Sequence, residues 1–210
     1  RYRALYANLE NAQVARSDVD RGMRMIVQIL GMQARDLVGD ADADALARRV
    51  LAEKQPAVAL EEFLSQWCRE ASKPTVLFLD EVDALVGDTL ISLLRQLRSG
   101  YSKRPALFPQ SLVLCGVRDV RDYRIHSESE KTVITGGSAF NIKATSLRLG
   151  DFGRDEVESL YLQHTEETGQ TFGPGAVDAV WDLTRGQPWL VNALGQEVSI
   201  QKAAHKLKLV

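Results

Sequence analysis

Two adjacent carboxylates, Asp80 and Glu81, follow a short apolar run in the middle of the chain. The run from Thr75 to Leu79 is almost continuously apolar, which is typical of a strand buried on both faces of a parallel sheet. Ligands of open α/β sheets bind beyond the carboxyl ends of such strands. The pair therefore lies where Asp80 could hold hydrated Mg²⁺ and Glu81 could activate a water, as phosphoryl-transfer chemistry requires.

Two other interpretations of these acids stay open. In the first, Asp80 and Glu81 are ordinary polar residues that close a strand, and Asp83 caps a turn. In the second, Asp80, Glu81 and Asp83 bind the divalent metal of a nuclease, since clustered acids can hold such an ion. No lysine or histidine at a suitable distance in the sequence completes a recognisable nuclease site, which disfavours the second interpretation.

A second apolar run, residues 111–117, ends in Arg118. If its strand is parallel to the first, Arg118 lies at the same edge of the sheet as Asp80. A guanidinium there could contact a terminal phosphate through two parallel hydrogen bonds. The alternative is a surface ion pair with Asp119 or Asp122.

A turn between two predicted helices contains Gly186 and Pro188. Such a turn can place a backbone segment and a proline ring against an adenine. The alternative is that Gly186 ends one helix and Pro188 starts the next, which are the positions that these residue types favour. Trp189 is expected in the hydrophobic core and not against a ligand.

The composition indicates an ordinary globular protein. The chain has 210 residues, of which 45% are hydrophobic and 26% charged, with a formal charge of -2. No global basic field attracts it to nucleic acid or to anionic membranes, and no apolar segment approaches the length of a membrane span. The two cysteines, Cys68 and Cys115, have no metal-ligand spacing and fit buried, reduced thiols, so a cytoplasmic location is expected.

The order of predicted elements is that of an α/β layer, residues 1–149, followed by a small helical unit, residues 150–210. Asp18, Pro56 and Asp88 mark the starts of helices in the first part. Residues 119–139 are expected to form an irregular excursion, because they are polar and contain glycine. The predicted strands are residues 2–9, 75–80, 111–117 and 144–149.

The motifs, in this order, resemble those of AAA+-related P-loop ATPases, within them the STAND-like and the bacterial and archaeal "AAA-like domain" group. Residues 76–83 resemble a Walker B motif, and residues 112–119 resemble a sensor-1 strand that ends in arginine. Residues 184–192 are similar to the Gly-x-Pro motif of the lid, and Tyr2 to Glu10 looks like the strand after the phosphate-loop helix. The likeness covers nearly the whole chain.

The resemblance implies a parallel sheet sandwiched by helices, followed by a helical lid, with ATP and Mg²⁺ as cofactors. It implies that Asp80 assists Mg²⁺, Glu81 activates water and Arg118 senses phosphate, while Gly186 and Pro188 contact the adenine. Hydrolysis or exchange would move the lid and transmit the nucleotide state to a protein partner or a fused effector domain.

One departure from the family is large. No G-x-x-x-x-G-K-[ST] phosphate loop occurs in the 210 residues, and the strand and helix that flank it in the family are also missing. That strand is normally central, so its absence would leave the sheet with a gap. We therefore expect that Arg1 is not the biological start and that the chain alone binds ATP weakly or not at all.

The alternative function is a non-catalytic scaffold for protein interactions, derived from the same fold, in which the loop at 119–139 docks a protein partner or DNA. In that loop the basic residues are balanced by acidic ones. A surface that neutralises phosphates normally has an excess of basic residues, so direct binding to nucleic acid is not favoured.

Overall fold

The computed structural model describes residues 1–117, 124–127, 132–135 and 145–207, with side chains described for 1–117 and 145–199. The chain divides into two compact units, Arg1–Ser146 and Leu147–Val210. This division falls close to the predicted boundary between residues 149 and 150. The first unit is an α/β fold with a small parallel sheet, and in the second unit the described regular structure is helical.

The first unit begins with a strand that is followed by three helices, and two further strands with one helix between them come next. In chain order the elements are β1 (Arg3–Asn8), α1 (Val19–Val38), α2 (Ala43–Glu53), α3 (Pro56–Arg69), β2 (Thr75–Asp80), α4 (Gly87–Ser99) and β3 (Ser111–Leu114). A separate antiparallel hairpin consists of β4 (Arg124–Ser127) and β5 (Thr132–Thr135).

The sheet has the order β1-β2-β3, and both pairs of neighbours are parallel. Leu77 and Leu79 of β2 are fully buried in the core that the sheet forms with α1 to α4. Val76 and Phe78 point to the other face, are only half-buried and do not belong to that core. The prediction that β2 is buried on both faces is therefore correct for one face and wrong for the other.

Local sequence signals predicted the starts of α1 and α3 correctly and the start of α4 too late. The Oδ1 atom of Asp18 accepts a hydrogen bond of 3.0 Å from the N–H of Arg21, so Asp18 caps α1 as predicted. Pro56 is the first residue of α3, where its missing N–H costs nothing. Asp88 does not cap α4, because that helix begins one residue earlier at Gly87; Asp88 lies in the first turn.

Two predictions about the end of the first unit are wrong. Thr145 to Leu149 form no strand, so the predicted strand at 144–149 is absent from its described part. The predicted irregular excursion at 119–139 contains the β4–β5 hairpin. The other residues of that segment lie outside the described parts of the chain.

The amino end of β1 is held by Arg3. Its guanidinium lies 3.8 Å from the centre of the Trp67 ring and forms an ion pair with Asp40 at 3.3 Å. Asp40 also accepts a 2.8 Å hydrogen bond from the indole N–H of Trp67. This network joins β1 to α3 at the end of the sheet opposite to the acidic pair, so it has a structural role.

The second unit contains α5 (Arg154–Thr168), α6 (Ala176–Thr184) and α7 (Pro188–Leu207). Val157, Tyr161, Val180 and Val191 form its small core. The hydroxyl of Tyr161 donates a 3.1 Å hydrogen bond to the carbonyl of Val191, which joins α5 to α7. Among the helices described in either unit, none combines the length and the apolar composition that crossing a membrane requires.

Candidate functional site

Asp80 is the last residue of the central strand β2, at the edge of the sheet where all three parallel strands end. Its register partner on β1 is Asn8, and its carbonyl accepts a 2.9 Å hydrogen bond from the N–H of Leu9. On the other side, the N–H of Cys115 donates to the carbonyl of Leu79 at 2.8 Å. The backbone that carries Asp80 is therefore held by both neighbouring strands.

The carboxylate of Asp80 is held by two hydrogen bonds. The hydroxyl of Tyr6 donates to Oδ2 at 2.6 Å, and the backbone N–H of Glu81 donates to Oδ1 at 3.0 Å. Each oxygen keeps free acceptor capacity, since a carboxylate offers about four acceptor positions. Sequence reasoning missed Tyr6, because its contact with Asp80 depends on the register between β1 and β2, which no local pattern reveals.

Glu81 follows in a left-handed backbone conformation, with φ 55° and ψ 38°. Such a conformation is uncommon for a residue with a Cβ, and strained residues of this kind cluster at functional sites. The side chain of Glu81 is exposed, and its carboxylate has no hydrogen-bond or ion-pair partner among the described residues. The structure thus gives the two acids different environments, with Asp80 held in place and Glu81 free in solvent.

Asp83 has a different role from its two neighbours. Its Oδ2 accepts a hydrogen bond of 3.2 Å from the N–H of Val117, which links the turn after β2 to the segment after β3. Its Oδ1 is buried, has no hydrogen-bond partner in the described structure, and lies 2.7 Å from the position that a Cβ on Gly116 would occupy. Asp83 therefore connects two loops at close range.

The nuclease interpretation required Asp83 to join Asp80 and Glu81 around a metal. No group of three or more His, Cys, Asp or Glu side chains within the described ranges is arranged to hold a metal ion. The metal nuclease site is thus not supported.

Arg118 lies outside the described residues, so its predicted contact with phosphate stays a prediction. The last described residue before it is Val117, whose N–H binds Asp83. The segment that leads into Arg118 is therefore attached to the turn that follows the acidic pair.

Gly186 and Pro188 form a tight connection between α6 and α7 in the second unit. Gly186 has φ +82°, and its carbonyl accepts a hydrogen bond of 2.8 Å from the N–H of Phe152. A Cβ on residue 186 would overlap the carbonyl oxygen of Phe152. The Oε1 atom of Gln187 accepts a 2.7 Å hydrogen bond from the N–H of Leu190 and caps α7, which starts at Pro188.

In this geometry one helix ends before Gly186 and the next begins at Pro188. This is the alternative to an adenine contact that the sequence analysis left open. The positive φ and the close contact with Phe152 explain why residue 186 is a glycine without any ligand. The contact of Gly186 and Pro188 with adenine stays a prediction. Trp189, expected in the core, is 70% exposed, so that expectation is wrong.

Two other side chains near Asp80, Tyr6 and Cys115, have raised pKa values. The hydrogen bond that Tyr6 donates to Asp80 raises the pKa of the Tyr6 phenol. Partial burial, together with the charge of Asp80, raises the pKa of the Cys115 thiol. Both effects disfavour the thiolate, which is the reactive form of cysteine.

The residues of this site fit Mg²⁺, but they do not include the groups that would bind the phosphates of ATP. A partly buried carboxylate with free acceptor capacity suits Mg²⁺, which binds proteins through one or two carboxylates and keeps its waters and substrate phosphates as further ligands. The residues that would cradle those phosphates, a glycine-rich loop with lysine, do not occur in the sequence.

Comparisons of the chain with protein families, with curated proteins and with solved structures gave no match.

Proposed function

We propose that this chain carries the hydrolytic half of an ATP-binding and hydrolysing switch domain of the AAA+ or STAND-like kind. The observation that carries the proposal is the arrangement at the end of the central parallel strand. Asp80 is held there by hydrogen bonds to both carboxylate oxygens, and the next residue, Glu81, presents an unpaired carboxylate from a strained backbone.

In this proposal each acid has one task. Asp80 orients a water of hydrated Mg²⁺, and the hydrogen bonds from Tyr6 and from the N–H of Glu81 fix the direction of its oxygens. Glu81 accepts a proton from the attacking water, for which its solvent-exposed, unpaired carboxylate is suited. Bound Mg²⁺ would supply charge neutralisation at the transferred phosphoryl group.

The other half of the site, which binds the phosphates, is proposed to come from polypeptide outside the 210 residues. Support comes from the sheet itself, because parallel sheets normally have both faces covered, whereas Tyr6 and Val113 on the second face are exposed. In the described sheet, β1 and β3 are both edge strands, and in the family the missing strand pairs with the strand that β3 resembles. A strand, phosphate loop and helix would fit beside β3 and over this face, as in the family that the motifs resemble.

The helical second unit is proposed to act as the lid, in which Gly186 and Pro188 contact the adenine. Arg118, which belongs to the first unit, is proposed to sense the terminal phosphate. The response of the lid to the nucleotide would be transmitted to a protein partner or a fused effector domain.

The test uses the complete protein, meaning the product of the whole reading frame that contains these residues. Asp80→Asn is expected to lower Mg²⁺-dependent ATP hydrolysis by about 10²–10³-fold, because a neutral amide orients hydrated Mg²⁺ poorly. The matched control is Asp20→Asn on the surface of α1, where the ion pair with Arg24 is exposed. Release of phosphate from ATP measures both variants, and equal rates for Asp80→Asn and Asp20→Asn would contradict the assignment.

The second candidate function is a non-catalytic scaffold for a protein partner. It is favoured by large exposed apolar side chains on either side of the Gly186 turn, Leu183 at 74% and Trp189 at 70% exposure, since such side chains often mark interaction sites. A complete protein that lacks a G-x-x-x-x-G-K-[ST] loop and does not bind ATP would favour this function over the ATPase.

A further inference from the structure

We infer that Tyr6 is a positioning residue for Asp80, which holds the carboxylate in the direction needed to orient the waters of Mg²⁺. This inference rests on the proposed function, and it adds a residue to which the family resemblance assigns no role.

The hydrogen-bond pattern around Asp80 gives Tyr6 this role. The N–H of Glu81 binds Oδ1 from the following residue of the same chain, and the hydroxyl of Tyr6 binds Oδ2 from the neighbouring strand. The bond from Tyr6, at 2.6 Å, is short, as expected for a hydroxyl that donates to a charged oxygen. With one donor on each oxygen, rotation of the carboxylate is restricted, while acceptor capacity remains for water.

The register of the sheet explains how Tyr6 reaches Asp80. Tyr6 is opposite Phe78, two residues before Asp80, while Asn8 is directly opposite Asp80. Tyr6 and Asp80 are thus diagonal neighbours on adjacent parallel strands, and the long side chain of tyrosine spans the gap to Oδ2. The side-chain oxygen of Asn8 accepts a hydrogen bond from the N–H of Glu10 at 2.8 Å, and so it holds the turn after β1.

Tyr6 contributes little to the packed core, which separates this role from a purely structural one. Its side chain is 46% exposed and lies outside the buried core of the first unit. Removing its hydroxyl leaves the strand pairing of β1 with β2 unchanged, because that pairing uses backbone groups. The hydroxyl therefore contacts the polar side chains of Asp80 and Asn8 at the end of the sheet, and not the buried core.

The test compares the affinity of ATP with Mg²⁺ and with EDTA in the complete protein, measured by calorimetry. Tyr6→Phe is expected to reduce the gain in ATP affinity that Mg²⁺ provides by about tenfold, the scale seen when a partner of a metal-binding carboxylate is removed. Affinity in EDTA should not change. Tyr2→Phe, which removes the same hydroxyl from an exposed residue of the same chain segment, is the matched control and should have no effect.

Asp80→Asn separates failure of this inference from failure of the proposed function. If Asp80→Asn abolishes the Mg²⁺-dependent gain while Tyr6→Phe behaves like Tyr2→Phe, the role of Tyr6 is refuted and the function stands. An equal loss for Tyr6→Phe with Mg²⁺ and with EDTA would show a structural effect and would also refute it. If Asp80→Asn changes nothing, both proposals fail. In an Asp80→Asn background, Tyr6→Phe should cause no further loss.

Discussion

Replacement of Glu81 by glutamine in the complete protein is expected to lower kcat for ATP hydrolysis by about 10²–10⁴-fold, the usual contribution of a general base. ATP affinity should stay within a few-fold of that of the wild-type protein, because the carboxylate of Glu81 acts on water and not on the bound nucleotide. The exposed position of Glu81, without a described partner, means that the substitution breaks no contact within the fold. Phosphate release and calorimetric titration measure the two quantities separately.

Glu53→Gln at the end of α2 provides the matched control for Glu81→Gln. Glu53 is also exposed and makes no described hydrogen bond, so its variant should hydrolyse ATP at the wild-type rate. If Glu81→Gln retains full kcat, Glu81 does not activate water. If ATP affinity falls in parallel with kcat, the side chain contributes to binding and the assigned role is wrong.

Gly186→Ala is expected to have the largest effect on stability, a loss of about 3 kcal/mol in the free energy of unfolding of the second unit. Two causes add. A Cβ is disfavoured at φ +82°. It would also overlap the carbonyl oxygen of Phe152, because the backbones of residues 152 and 186 are in direct contact. Hydrogen exchange of the backbone amides of α5 and α6 at increasing urea concentration measures the loss in this unit alone.

Other glycines in the same unit separate the two causes. Gly169 has φ +71° but no atom within 4 Å of an added Cβ, so Gly169→Ala tests the backbone term alone and should cost about 1 kcal/mol. Gly173 has neither a positive φ nor a close neighbour, so Gly173→Ala should be neutral or slightly stabilising. Equal stability of all three variants would contradict the packing described for Gly186.

Local signals in the sequence predicted the parts of the fold that depend on neighbouring residues. Asp18 and Pro56 mark helix starts because capping and the fixed φ of proline act within one turn. The apolar run before Asp80 predicted β2 and placed the acids at its end, because a continuous run bounded by polar residues has few other solutions.

Tertiary context decided what the sequence did not predict. Trp189 has the composition of a core residue, yet it lies in the first turn of α7 and is exposed, since burial depends on what packs against the helix. The half-buried second face of β2 has the same origin, because an apolar run does not reveal how many layers cover it. The contact between Tyr6 and Asp80 depends on strand register, which is set by the whole sheet.

The most direct test of the central claim is calorimetric titration of ATP with Mg²⁺ into two proteins, the 210-residue chain and the complete protein. The claim is that this chain contributes the acids for magnesium and water and not the groups that hold the phosphates. It predicts weak or no binding to the 210-residue chain and clear, Mg²⁺-dependent binding to the complete protein. Tight binding of ATP to the 210-residue chain, or its absence in the complete protein, would contradict the claim.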